Sequence, residues 1–338
     1  MKKLSFFTYI VIVLNVVTSV LVLGIFWAYY QKGHAGAPFS FLQLFTPFAL
    51  TFHLFFVLYW LRVRLSWALF SVGILVLSIL VFGSFYGFRK QKDTETDSLS
   101  IMSYNVMNFN RYKWIPVPHA GDSITSFIKQ EDPDILCLQE HSRIRFKQLS
   151  QYPYRSETPT TVPRTIQAIF SKYPIVGEGS LEPPSTSNNI VYADIALPQD
   201  TIRVYNVHLE SFSIVPSKTG LGEGMPQKLY GRMNTTFAKQ VDQVKLLKAH
   251  MSSSPYPMLL CGDFNNTQFS NVFRMAYQGM SDTFLEMGAG LGRTFELFGV
   301  PIRIDYIMVD PNFEVLSHHN YDVKLSDHYP IMSELRLQ

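Results

Sequence analysis

Three long stretches near the amino end carry almost no polar punctuation. Leu4 to Tyr30, Phe39 to Leu61 and Leu65 to Phe88 are apolar or small nearly throughout. Each exceeds the ~20 residues that a helix needs to cross a bilayer. Trp27, Tyr29, Tyr30, Tyr59, Trp60, Trp67 and Tyr86 sit near their ends, where interfacial rings are expected. A cleaved leader has a single, shorter apolar core, so it does not fit three successive stretches. The pattern predicts three transmembrane helices at about 4–30, 39–61 and 65–88. His53, alone among apolar neighbours, is expected to meet an adjacent helix or a polar pocket.

The pattern changes at residues 91–99, QKDTETDSL, a polar run that reads as a linker. Short apolar runs then alternate with amphipathic ones. Ser100 to Val106, Ile135 to Gln139, Ala168 to Ser171, Ile190 to Ala196, Thr201 to Leu209, Met258 to Cys261, Pro301 to Val309 and Tyr329 to Leu335 read as strands. Asp122 to Gln130 reads as a short helix capped by Asp122 or Ser123. Asn234 to Met251 reads as a longer one, with Phe237, Val241, Val244 and Leu247 on one stripe. Between them Glu210 to about Arg232 reads as a long Gly- and Pro-containing loop. Strands with intervening helices predict an α/β fold, here a mixed sandwich. The chain divides into an anchor (1–90), a linker (91–99) and a second domain (100–338). No internal repeat is visible.

Charge sharpens this division. Residues 1–92 hold eight Lys or Arg and no Asp or Glu, while the rest holds 21 basic and 26 acidic residues, a formal charge of −5. An acidic domain disfavours extensive phosphate-backbone binding. Basic residues flank the three stretches evenly, so the tight Arg62-Val63-Arg64 turn decides the orientation. Placed in the cytoplasm, it puts the second domain outside. Cys137 and Cys261, each inside an apolar run, read as buried free thiols rather than as a disulfide or a metal pair.

Candidate chemistry gathers at strand ends. Asn105 closes one strand, Gln139-Glu140 another, and Asn206, His208 and Glu210 a third. Asp263 and Asn265 follow Met258 to Cys261, Asp305 lies in a late strand, and Asp327-His328 precedes the last. Period-two alternation points Asp263 and Asn265 to the same face. One such residue commonly meets only water. Asn, Glu, His and Asp repeated at several strand ends form a set that binds a hard divalent cation and activates water.

The stretches SYNVMNF, DILCLQE, YNVHLES, LLCGDFNNT, RIDYIMV and SDHYPI stand in one order across roughly residues 100–338. In these motifs the domain resembles the endonuclease/exonuclease/phosphatase superfamily. The resemblance implies a four-layer α/β sandwich: two mixed sheets packed together, with helices outside. It implies Glu140 as the main metal ligand, with Asn105 and Asp327 beside it, and Mg²⁺ or Mn²⁺ as the ion. It implies Asp263 as the group that orients or deprotonates water and Asn265 as a phosphate ligand. His328, paired with Asp305, is implied to contact phosphoryl oxygens, and His208 to lie near the leaving group. Where abasic-site nuclease relatives carry an acid, this chain has Met107, with Asn108 expected to face away. That departure weakens a second metal and a DNA-repair role.

Lys228 and Arg232 are candidate substrate-binding residues in the long loop. Arg143, Arg145 and Lys147, which follow Glu140, are expected on a solvated face, with a substrate path as the alternative, Tyr112 and Trp114 against lipid, substrate or the core, and His318-His319 in a loop. The expected function is a membrane-anchored, metal-dependent phosphoester hydrolase. Its partners are the bilayer and a phosphoester: a lipid head group, a nucleic acid or a small molecule. A catalytically idle binding domain at the membrane is the alternative.

Overall fold

The structure is a computed structural model that describes residues 5–31, 41–88, 98–212, 225–297 and 299–338, with only the backbone of 41 and 225–228. The expected linker falls almost wholly outside the described residues. Seven helices are described: α1 (Phe6–Tyr30), α2 (Thr46–Val63), α3 (Leu65–Phe82), α4 (Ala120–Glu131), α5 (Met225–Met251), α6 (Asn271–Tyr277) and α7 (Thr283–Met287). The strands in chain order are β1 (Gly87–Phe88), β2 (Leu99–Asn105), β3 (Ile135–Gln139), β4 (Tyr154–Glu157), β5 (Ala168–Ser171), β6 (Ile175–Ser180), β7 (Ile190–Ala196) and β8 (Thr201–His208). They continue as β9 (Met258–Asp263), β10 (Ser281–Asp282), β11 (Ala289–Gly290), β12 (Phe295–Leu297), β13 (Val300–Ile302), β14 (Asp305–Val309), β15 (Phe313–Asn320) and β16 (Ile331–Leu337).

The first three helices are long and apolar enough to cross a membrane. Phe6, Phe55 and Leu80 are among many large apolar side chains that they leave uncovered. Their contacting faces are closed by Trp60 stacked on Trp67, and by a hydrogen bond from Asn15 Nδ2 to Ser71 Oγ at 2.8 Å. His53 is buried against Phe56. The third stretch leaves the helix at Phe82, six residues before its expected end. Gly83 there has φ +78, a conformation that a side chain disfavours.

Strand alternation builds the rest. Two six-stranded mixed sheets run in the orders β15–β16–β2–β3–β5–β4 and β10–β14–β9–β8–β7–β6. Ile101, Ile135 and Cys137 from one meet Val204, Leu259, Cys261 and Ile307 from the other. The alternate residues Met102, Tyr104, Leu136 and Leu138 face outward onto Ile124 and Ile128 of α4. On the far side Tyr205, Leu260 and Tyr306 face Phe237, Val241, Val244 and Leu247 of α5. The layers are therefore helix, sheet, sheet, helix, as the resemblance implied. Both cysteines are buried and free.

Each sheet contains one parallel pair, β2 with β3 and β8 with β9. Each of those pairs is joined through a crossover that carries a helix, α4 or α5, because parallel strands need a long return. The carboxyl ends of both pairs thus lie at one edge of the sandwich, where α/β folds bind ligands.

Several local expectations are corrected. The helix α5 begins at Met225 rather than Asn234, and Pro226 is tolerated because it falls in the first turn, where no helical N–H partner is lost. His119, at φ +53, caps α4 without a side-chain bond, in place of Asp122 or Ser123. The run from Pro301 to Val309 splits at Arg303-Ile304 into a hairpin strand and a sheet strand. His318 and His319 lie in strand β15, not in a loop.

Candidate active site

Register brings the polar strand ends together. Asn105 pairs with Gln139 in one parallel pair, and His208 pairs with Asp263 in the other. Strand β14 runs antiparallel to β9, so its first residue, Asp305, also pairs with Asp263. Beneath them the sheets are tied by buried amides: Gln139 Nε2 donates to Asn206 Oδ1 at 2.7 Å, and Asn206 Nδ2 to the Leu138 and Ala168 carbonyls. Ser326 Oγ donates to the Asn105 carbonyl at 2.8 Å and anchors the loop bearing Asp327 and His328.

Asp263 stands at the centre. Asn105 Nδ2 donates to its Oδ2 at 3.0 Å, and the Asn265 backbone N–H to its Oδ1 at 2.7 Å. His208 Nε2 and His328 Nε2 each lie 3.6 Å from Oδ2. Glu140 completes the group: its Oε1 is 3.4 Å from Asn105 Nδ2 and 3.9 Å from His208 Nε2. His328 Nδ1 is 2.9 Å from Asp305 Oδ2. Asp327 is exposed beside them.

Asp263 and Asn265 do meet, but alternation is not the cause. The strand ends at Asp263, and Asn265 turns back with φ +49. Its amide Nδ2 donates to the Leu209 carbonyl at 3.0 Å and to Asp263 Oδ2 at 3.2 Å, so its donors orient the carboxylate. Asn108 is likewise corrected: residues 107–110 all have positive φ, alternation fails there, and Asn108 faces the cleft beside Glu140 while Met107 is buried.

Environment divides the ionisable groups. Burial pulls the His328 imidazole down, but Asp305 and Asp263 more than offset it and hold it well above the ordinary value. His208 goes the other way: burial lowers it despite Asp263, and its Nδ1 has no partner among the described residues. One imidazolium, not two, therefore faces Asp263. Burial lifts Asp263 to about 6, against the pull of His328. Burial and the neighbouring Asp327 raise Glu140, with His328 and Asn105 opposing.

Asp263, Asp305 and His328 lie close enough to share an ion. With His328 Nδ1 2.9 Å from Asp305 and its Nε2 3.6 Å from Asp263, the trio is also closed by its own contacts as an internally compensated ion pair. Glu140 and Asp327 differ. Burial and the Asp327 carboxylate raise Glu140, and among the described residues no Lys or Arg forms an ion pair with Glu140. The two carboxylates are the hard oxygens that a divalent cation would compensate, while Asn105 turns its Nδ2 toward Glu140 and its Oδ1 accepts from the Met107 N–H at 3.1 Å.

Arg232 is exposed on α5 and forms no contact with this cluster among the described residues, and the Lys228 side chain lies outside them. A cleft of ≈460 Å³ instead opens beside Glu140, lined by Asn108, Arg111, Trp114, Arg143, Ile144 and Arg164. Arg143 is tied to Glu157 and the Thr158 carbonyl, and Arg164 to the carbonyls of Thr186 and Asn188. Arg145 pairs with Asp122. Arg111 and Arg164 were not visible as candidates, because single loop arginines carry no periodic signal.

A family model described as the Endonuclease/Exonuclease/phosphatase family matches residues 102–328. A second model, for a domain of unknown function, matches residues 8–85. No curated protein matches the chain. Among solved structures, an endonuclease/exonuclease/phosphatase from Beutenbergia cavernae is 19% identical at a TM-score of 0.55, over 71% of this chain and 72% of that one. A mannosyl-6-phosphatase from Bacteroides thetaiotaomicron is 20% identical at 0.55, over 71% and 100%. TDP2 from D. rerio, complexed with a single-strand DNA product, is 15% identical at 0.53, over 71% and 99%. Likeness at these identities concerns the fold alone.

Proposed function

Because this chain belongs to the endonuclease/exonuclease/phosphatase family, we propose that it is a membrane-anchored, divalent-metal-dependent phosphoester hydrolase. Residues 1–90 form its anchor, 91–99 its linker and 100–338 its catalytic domain. The carrying observation is the meeting of Asn105, Glu140, His208, Asp263 and His328, from separate strand ends, around one buried carboxylate.

Glu140 and Asp327 would hold the ion, Mg²⁺ or Mn²⁺ by the hardness of their oxygens, and Asn105 would join them by giving its Oδ1 to the ion in place of the Met107 N–H. When bound, the ion offsets negative charge on the phosphoryl oxygens. Asp263 takes the proton of the attacking water as the water oxygen bonds to phosphorus and the ester P–O bond breaks, the departing oxygen leaving with the bonding pair and taking a proton from solvent. Asn265 and Asn105 hold that carboxylate in place. His328, kept charged by Asp305, donates to a non-bridging oxygen where charge grows. His208, neutral and buried, walls the site beside Asp263 and Glu140.

The turn at Arg62–Arg64 and the catalytic domain lie at opposite ends of α3, which supports a domain outside the cytoplasm. The acidic domain supports small or lipid phosphoesters over nucleic acid. The test is hydrolysis of bis-p-nitrophenyl phosphate by the full chain in detergent, with Mg²⁺ and with chelator. Chelation abolishes turnover, Asp263→Ala lowers kcat by about 10³-fold and His328→Ala by about 10²-fold. Turnover unaffected by chelator or by Asp263→Ala removes this reading and leaves an idle binding domain.

A further inference from the structure

The anchor and the catalytic domain enclose a second cavity of ≈430 Å³, distinct from the cleft beside Glu140. Its walls are apolar: Leu50 and Leu54 from α2, Leu75 and Ile79 from α3, and Phe269 and Ile302 from the catalytic domain. Leu54 and Ile79 are about half exposed, so the cavity has a rim on the outer surface of the two helices. In a bilayer that surface faces hydrocarbon. A groove with mostly apolar walls and such a rim suits a lipid chain better than water, which finds polar partners there only at Thr51, Thr267, Gln268 and Arg303.

The β12–β13 hairpin stands between the groove and the reactive cluster and touches both, since Phe295 pairs with Ile302. Ile302, in β13, lines the groove. Phe295, in β12, packs its ring on the His328 imidazole at 5.0 Å and pairs with His328 through a backbone bridge. Arg303 ends the groove two residues before Asp305. Its guanidinium is paired with Asp282, donates to Gln268 Oε1 at 2.7 Å and lies between the Phe284 and Tyr306 rings. The hairpin is thereby fixed, and the arginine's charge is compensated by Asp282. On the opposite flank of the cluster, Glu140 opens to the cleft with Arg111, Arg164 and Trp114. Asp263 Oδ2 lies 3.6 Å from both His208 and His328, and His208 lies 3.9 Å from Glu140.

We propose that the substrate is a membrane lipid phosphoester, its hydrocarbon chain seated in the groove between α2 and α3 and its polar part in the cleft beside Glu140. This rests on the hydrolase reading but adds a binding site that the chemistry alone does not require.

Two diesters with one leaving group test it: hexadecyl p-nitrophenyl phosphate and methyl p-nitrophenyl phosphate, with the full chain in phosphatidylcholine nanodiscs. The expected kcat/KM ratio, hexadecyl over methyl, is about tenfold or more, the remote chain supplying binding energy to the transition state. Leu54→Trp and Thr51→Trp, which fill the groove from its rim, lower that ratio about tenfold. Leu80→Trp, on the lipid-facing surface of α3, leaves it unchanged and controls for partition into the bilayer. Equal rates on the two esters, or an equal effect of Leu80→Trp, overturn the proposal. A second readout needs no turnover. A phosphatidylcholine with a diazirine on its acyl chain is photolysed in nanodiscs holding the His328→Ala chain. Labelling of Val300–Ile302 that Leu54→Trp blocks supports the groove even where neither ester is hydrolysed, a result that removes only the hydrolase reading. Labelling confined to the outer faces of α1–α3 overturns it.

Discussion

Asp305 has one contact that explains its place: the His328 imidazole at 2.9 Å. His328 is charged at neutral pH because two carboxylates offset the cost of its burial. A raised value keeps the proton on until pH rises past it, so loss of activity by deprotonation lies far on the basic side. Replacing Asp305 by Asn removes the larger favourable partner. The basic limb of the pH profile of kcat/KM then moves to lower pH by about one unit or more. On the proposed base role of Asp263, which burial lifts to about 6, the acid limb is expected to shift less. A basic limb that stays in place would separate His328 from the chemistry. At this scale the meeting of the strand-end residues was legible, because Asn, Asp, Glu and His recur where apolar runs stop. Their orientation was not. Asn265 and Asn108 both sit at positive φ, where a period of two no longer says which way a side chain points.

Among the elements, β9 carries the most constraint. It lies between β8 and β14, and its Gly262 has φ +134. A Cβ there would stand 2.0 Å from the Val207 carbonyl oxygen, so only glycine lets the parallel strands close beside His208 and Asp263. Gly262→Ala is expected to cost about 3 kcal/mol and to lower Tm by about 6–10 °C, read by thermal unfolding in detergent. A melt within a degree of the parent's would show that the backbone gives way cheaply. Buried strands such as Ile135–Gln139 were legible because an apolar run of that length has few alternatives. β15 and the β12–β13 hairpin were not. β15 carries Ser317-His318-His319, and His318 is buried only because Thr283 and Ser333 meet its Nδ1 at 2.7 and 3.0 Å. Long-range partners of that kind leave no local mark.

Across the whole molecule, the three helices are not a loose tether. Arg274 Nε donates to the Tyr29 carbonyl at the end of α1 at 2.6 Å, where a cation also suits the helix dipole. Gln268 Nε2 reaches the Phe82 and Ser84 carbonyls, and β1 pairs with β11. Arg274→Ala is expected to cost about 1–3 kcal/mol locally. Amide hydrogen exchange then speeds at Tyr29–Gln31 and in α6, while β2 and β3 keep their protection. Exchange altered equally everywhere would mean a global rather than a docking effect. The separation of an apolar front from an acidic rear was legible from composition. The docking was not, since Gln268, Phe269 and Arg274 are unremarkable in an amphipathic reading.

The stretch from Asp263 to Ser270 begins with the buried carboxylate of the candidate site and, six residues later, presents Phe269 to Phe82 of α3, rings 5.2 Å apart. The two halves therefore share a hinge pin as well as a chain. A fragment severed ahead of Ser98 would keep every polar strand end yet lose the bracing of that stretch, and would bare a sticky aromatic to water. Severing it is surgery on the centre itself.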